Sequence, residues 1–168
     1  MATVLSGRVA VSVEAQIDDV LDIATASMPV QFTAASVFTD GTGANQAKKI
    51  FTDTRTLSAS AAESLDLYGS LVDQFGTTLN FAKLKAIIVT AASGNTNSVQ
   101  VTRPASNGVP LFMAASDGIA LTPGATFCAV FPDANGVAVT ASTGDLITFT
   151  NSAGSTSVTY TLILIGTV

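Results

Sequence analysis

The chain has no histidine, one cysteine, no tryptophan and two tyrosines. Without histidine it cannot build a Ser-His-Asp or Cys-His nucleophile or a His-ligated zinc site. Paired carboxylates are the remaining acid–base device, because a glycosidase needs only two. The candidates are Glu14, Asp18, Asp19, Asp22, Glu63, Asp66 and Asp73. Most of them stand beside predicted turns, where aspartate is a usual turn former. With aromatic side chains limited to Phe, Tyr68 and Tyr160, the stacking platform of a sugar cleft is missing. The cluster Asp18-Asp19-x-x-Asp22 offers oxygens to calcium but lacks the spaced pattern of an EF-hand loop, and it reads as a solvated acidic turn. Gly41-Thr42-Gly43 is too short for a phosphate loop and no Lys-Ser/Thr follows it. The expectation is a protein that is not an enzyme, with no catalytic residue, no metal site and no cofactor.

Two side-chain features remain. Asp53 and Arg55 fall two apart on one predicted strand face, where they form a polar pair within the sheet or between subunits. Cys128 lies among apolar neighbours in Ala125-Thr126-Phe127-Cys128-Ala129-Val130-Phe131 and reads as a buried thiol. With one cysteine the chain can form no disulfide of its own, which suits a reducing compartment.

The elements that position these residues are strands. The 168 residues suit one domain, with an arm, and can bury a good core. Charged residues make up 11%, against roughly 25% in typical soluble domains; a surface so poor in charge suits a protein whose faces meet other proteins. The net charge is −5 and the basic residues are scattered, so the concentrated positive patch that nucleic acid requires is absent. The N-terminus lacks the layout of a signal peptide, and no apolar run approaches the roughly 18 residues of a membrane span. Neither nucleic acid nor membrane is an expected partner.

Alternation at period two runs through the chain. Val9, Val11 and Val13 predict a strand with one buried face. Residues 16–23 mix helical and extended spacing and read as a turn with a short extended segment. Residues 30–38 read as strand, with Pro29 at its start, where a missing N–H costs least. The Asp40-Gly41-Thr42-Gly43 turn leads into a strand over 48–57, with Phe51, Asp53, Arg55 and Leu57 on one side. Residues 58–63 read as a turn or a single helical turn. Further strands are expected over 79–90, 99–102, 109–113, 119–121, 125–131 and 136–140. Residues 145–150 and 156–165 close the chain as a hairpin. About ten short strands between turn clusters predict an all-β fold. From residue 47 onward, roughly eight of them suit a jelly-roll β-sandwich. The expected organisation is an N-terminal arm or extra strands over 1–45 and a sandwich over 46–168.

Several segments carry a resemblance. They are Phe38-Thr39-Asp40-Gly41-Thr42-Gly43-Ala44-Asn45-Gln46-Ala47, Thr52-Asp53-Thr54-Arg55-Thr56-Leu57 and Phe81-x-Lys83-x-Lys85-Ala86-Ile87, followed by Asn95-Thr96-Asn97, Pro132-Asp133-Ala134-x-Gly136 and Val158-Thr159-Tyr160. From about residue 32 to the end the chain resembles the head decoration, or cement, proteins of tailed bacteriophages. The resemblance implies a jelly-roll subunit made in the host cytoplasm that sits on the outside of the virion. It implies two partners: the major capsid protein, whose neighbouring copies it bridges, and itself, as a homodimer or homotrimer. The extended N-terminal residues could add a strand to a neighbour's sheet edge. The expected inter-subunit or capsid contacts are Val4, Leu5, Val9, Val11 and Val13, with Asp53 and Arg55. The alternative is a tail or fibre adhesin module that binds host glycan.

Overall fold

The computed structural model describes residues 4–168. All regular structure in it is β, in fourteen strands. They are β1 (Gly7–Val20), β2 (Thr25–Asp40), β3 (Gln46–Ala47), β4 (Lys49–Leu57), β5 (Ala62–Asp66), β6 (Tyr68–Val72) and β7 (Thr78–Asn80). The second half holds β8 (Lys83–Ala91), β9 (Val99–Thr102), β10 (Gly118–Leu121), β11 (Thr126–Val130), β12 (Val137–Ala138), β13 (Leu146–Asn151) and β14 (Val158–Thr167).

Residues 46–168 form a β-sandwich. One sheet has the order β11-β8-β14-β4, with the short β12 also paired to β8. The other has the order β10-β9-β13-β5. Every pairing between these strands is antiparallel. The connections nest: β4 pairs with β14, β5 with β13, β8 with β11, and β9 with β10. The inner faces supply one core, which includes Phe51, Leu57, Leu65, Ile87, Val89, Val99, Val101, Ile147, Phe149, Tyr160, Leu162 and Leu164. The rings of Phe149 (β13) and Tyr160 (β14) stack across the two layers with centroids 4.6 Å apart and planes 9° from parallel.

Strand β14 shows how alternation selects these faces. Val158, Tyr160, Leu162 and Leu164 point inward and are buried. The outward face begins with Thr159 and Thr161, which meet Thr56 and Thr54 of β4 through hydroxyl contacts of 3.0 and 3.2 Å. It then changes to Ile163 and Ile165. At that point Phe38, the fully buried last apolar residue of β2, covers the sheet together with Val9 and Leu5. A second small cluster therefore sits outside the sandwich and joins it to the N-terminal hairpin.

That hairpin pairs β1 with β2 over fourteen rungs, from Gly7 opposite Phe38 to Val20 opposite Thr25. At about 3.4 Å per residue its length is roughly 45 Å. The turn over residues 21–24 closes with a bond from the Leu21 N–H to the Ala24 carbonyl, 2.9 Å. Every residue from 10 to 35 is exposed. The N-terminal region is thus an arm built from two long strands.

Several expectations need correction. The alternating valines of β1 do not have a buried face: Val9 is half-buried, while Val11 and Val13 are exposed. Residues 16–20 are strand rather than turn, because β2 supplies them with a partner at every rung. Pro29 lies inside β2, opposite Gln16, and a ribbon with one partner strand tolerates it where the N–H would point outward. The 79–90 strand is divided by residues 81–82, where the buried Phe81 turns to bond the Leu67 carbonyl. Residues 109–113 are not a strand: Val109, Leu111 and Phe112 pack on the core from irregular chain, with Phe112 stacked on Phe127. The last two long strands are not a hairpin, since β13 and β14 belong to opposite layers and residues 152–157 cross between them.

Candidate interaction surface

The arm is amphipathic in the plane of its own sheet. Residues opposite one another across a pair share a face, and successive residues alternate. The register therefore gathers Val11 with Ala34, Val13 with Phe32, Ala15 with Val30, and Ile17 with Met28 on one side. The other side carries Ser12 with Thr33, Glu14 with Gln31, Gln16 with Pro29, and Asp18 with Ser27. On this polar side Asp18 accepts bonds from the Ser27 hydroxyl and from Gln16 Nε2, the latter at 2.8 Å. These two donors hold the Asp18 carboxyl below its usual range.

The apolar side is continuous with the covered cluster at the arm's base, since Phe38 and Val9 lie on the same face. Beyond Val9 the cover ends. Ile17 is 64% exposed, Phe32 59% and Met28 58%. Scattered apolar residues on a surface need no explanation, but a contiguous face of this size is a candidate interaction site. The arm's acidic groups avoid this face until its end: Glu14 and Asp18 project from the polar side, Asp19 sits opposite Ala26 near the tip, and Asp22 lies in the turn. No lysine or arginine occurs between Arg8 and Lys48.

The base is fixed by polar contacts. Gly41 has φ of +146°, and a Cβ there would fall 2.4 Å from Gln46 Oε1. That same oxygen accepts the Gly43 N–H at 2.8 Å, which shapes the turn after β2. The Asn45 N–H donates to the Pro132 carbonyl at 2.7 Å. Lys85, buried in β8, donates to the carbonyls of Gly43 (3.1 Å) and Asp133. Burial lowers the pKa of this ammonium group. Asp40 receives Lys48 at 3.1 Å and the Leu5 N–H at 3.3 Å, and these bonds, Lys48 first, lower its carboxyl pKa. The chain thus leaves the sandwich through a clamped junction, and the arm's direction is set there.

The other predicted contact residues lie in different places. Val4 is exposed, and with half-buried Leu5 it lines a shallow groove shared with Lys49, Ile50 and Phe75. Asp53 and Arg55 sit on the inward side of β4 at the rim of the sandwich. There Arg55 Nη1 donates to Glu63 Oε2 at 2.6 Å. Arg55 Nε lies 3.1 Å from Asp53 Oδ2, within ion-pair range but off the line of a hydrogen bond. Glu63 also accepts the Tyr160 hydroxyl at 2.7 Å. This network ties β4 and β14 of one sheet to β5 of the other. It is held inside one chain. Among those residues no group of three His, Cys, Asp or Glu converges on a possible metal position. Cys128 is half-buried in β11, and burial raises its thiol pKa.

The sequence reading missed the distal half of the apolar face, namely Ile17, Met28, Val30 and Phe32. The signal was present in the alternation Met28, Val30, Phe32, but only the pairing register puts it beside Val13 and Ile17.

No family model matches the chain, and neither does any curated protein or solved structure.

Proposed function

We propose that this protein is a structural assembly subunit of a phage head: a decoration, or cement, protein. In this reading it binds the outer surface of the capsid, bridges neighbouring copies of the major capsid protein and acts together with other copies of itself. The carrying observation is the arm, a fourteen-rung hairpin whose apolar side has no cover among the described residues beyond the base. A lone two-stranded ribbon is at best marginally stable in water, so such an arm makes physical sense as part of an interface. The nested pairing of the eight principal sandwich strands supports the jelly-roll reading. The turn segment from Phe38 to Ala47, which carries the resemblance, is the clamped junction between arm and sandwich. Low charge on the sandwich surface suits close contact with other proteins.

A clamp of this kind works by multivalency, since each contact raises the effective concentration of the next. Heads assembled without the protein provide the test. The purified chain is expected to co-sediment with assembled heads, not with unassembled capsid protein, and to raise the temperature at which the heads release their DNA. Absence of binding to assembled heads would overturn the reading, and binding to a glycan array instead would move it to the adhesin class.

A further inference from the structure

We propose that the apolar face of the arm, formed by Val11, Val13, Ile17, Met28, Val30 and Phe32, is covered by the same face of a second copy of this chain, with the two arms lying antiparallel. This deepens the assembly reading and rests on it for the presence of a second copy, but it concerns the purified chain and not the capsid.

Four observations support this occupant. The first is continuity. At the base the face is already a buried layer, with Phe38 and Val9 seated on Ile88, Val130 and Ile163 of the sandwich, so extending that layer with a second ribbon continues a packing the fold has begun. The second is area. From the exposures of the six residues, and aromatic side chains worth about 150–250 Å² each, the face offers on the order of 600 Å². Two such faces bury about 1,200 Å², the lower bound of stable specific interfaces. The third is the placement of charge. Glu14 and Asp18 point away from the contact, and the one carboxylate on the apolar face, Asp19, lies at its tip end beyond Ile17 and Met28, so the six apolar residues can meet without a carboxylate among them.

The fourth observation selects the direction. The tip carries Asp18, Asp19 and Asp22 with no cation nearby in the arm, whereas at the base Arg8 is joined by Lys48 and Lys49, each already paired with a carboxylate, Asp40 and Asp73. Parallel arms would bring tip against tip and place like charges together. Antiparallel arms keep the two acidic tips apart and set each beside the partner's base, where the carboxylates are balanced by lysines. They also offer the exposed Leu21 and Ile23 of the turn to the groove lined by Val4, Leu5, Ile50 and Phe75. Contact is then face to face through side chains, not by adding a strand to a sheet edge.

The test uses the full chain and light scattering after size exclusion, over a range of concentrations. Wild type is expected to be a dimer, or a larger even-numbered assembly built from dimers. Phe32→Asp and Met28→Asp, on the apolar face, are expected to give monomers with an unchanged circular dichroism spectrum. Ser12→Asp, on the polar face, is expected to leave the dimer intact. In a Cys128→Ser background, Ala15→Cys lies near the middle of the ribbon and is expected to cross-link as a disulfide dimer under mild oxidation. A cysteine nearer the tip, Asp19→Cys, is not. A monomeric wild type would overturn the proposal, as would a dimer indifferent to Phe32→Asp, or cross-linking at position 19 but not at 15. Because none of these measurements involves heads, a failure of self-association is distinguishable from a failure of capsid binding.

Discussion

The polar network at the rim of the sandwich makes a quantitative prediction through Tyr160→Phe. The Tyr160 side chain is fully buried, stacked on Phe149, and donates its hydroxyl to Glu63 at 2.7 Å. Burial, followed by the hydrogen bond to Glu63 and the charge of that carboxylate, raises the tyrosine pKa far above its usual value. Phenylalanine keeps the stacked ring and removes only the hydroxyl. A hydrogen bond to a charged partner contributes about 1.5–3 kcal/mol, and Glu63 retains Arg55, so the loss at neutral pH is expected at about 1–2 kcal/mol. For a chain of this length that lowers the melting temperature by roughly 3–6 °C.

The second consequence concerns alkaline pH. Above a pH of about 10 an unfolded tyrosine loses its proton while the folded one keeps it. The native state then binds one proton more than the unfolded state, so stability falls as pH rises, by at most about 1.4 kcal/mol per unit. This term is fully present below the unfolded pKa, is lost through the alkaline range, and is absent from the variant. The assay is urea unfolding of both proteins at pH 8, 10 and 11. The wild-type advantage is expected to shrink between pH 10 and 11. Equal advantages at all three pH values would refute the account of a shielded hydroxyl bonded to Glu63.

Two further predictions concern other parts of the sandwich. Asp73 accepts Lys49 at 2.8 Å and the N–H groups of Thr77 and Phe75, and these bonds, Lys49 first, lower its pKa. Its contribution is therefore present above the unfolded carboxyl pKa of about 4 and lost as pH falls through the lower folded value. Asp73→Asn is expected to lower the melting temperature at pH 7 and to flatten its fall between pH 4 and 2, as followed by circular dichroism. Phe149→Ala removes a fully buried ring between the layers and is expected to cost about 3–5 kcal/mol in urea unfolding, without altering the self-association of the folded fraction.

The sequence revealed the parts of this fold in which one strand carries its own pattern. Phe51, Asp53, Arg55 and Leu57 alternate against threonines, and β4 follows that pattern with Phe51 and Leu57 buried. The inward residues of β14 do the same. Elements that depend on a distant partner were harder to read. The spacing of Ile17, Val20 and Leu21 fits a helix as well as a strand, and what decides it is β2, which the sequence text does not pair with β1. Val109, Leu111 and Phe112 alternate like a strand but fill the core from irregular chain. The Tyr160–Glu63 bond joins residues 97 positions apart, beyond any local pattern. For the candidate interaction surface, the alternation of Val9, Val11 and Val13 predicts a strand with one buried face. Which residues cover a strand's face is not written in the strand itself, and among the described residues that face is open from Val11 onward.

In the proposed assembly the arm's apolar face is covered in the working state of the protein, and methionine oxidation measures this directly. Met28 lies opposite Ile17 on the distal part of that face, while Met113, 98% exposed in an irregular segment of the sandwich, is an internal reference. The chain is treated with dilute peroxide at high concentration and on heads, and sulfoxide formation at each methionine is followed by peptide mass spectrometry. Met28 is expected to oxidise more slowly than Met113 when copies are associated, and to approach its rate on dilution. Oxidation of Met28 as fast as Met113 under every condition would show a bare arm and contradict the proposed assembly.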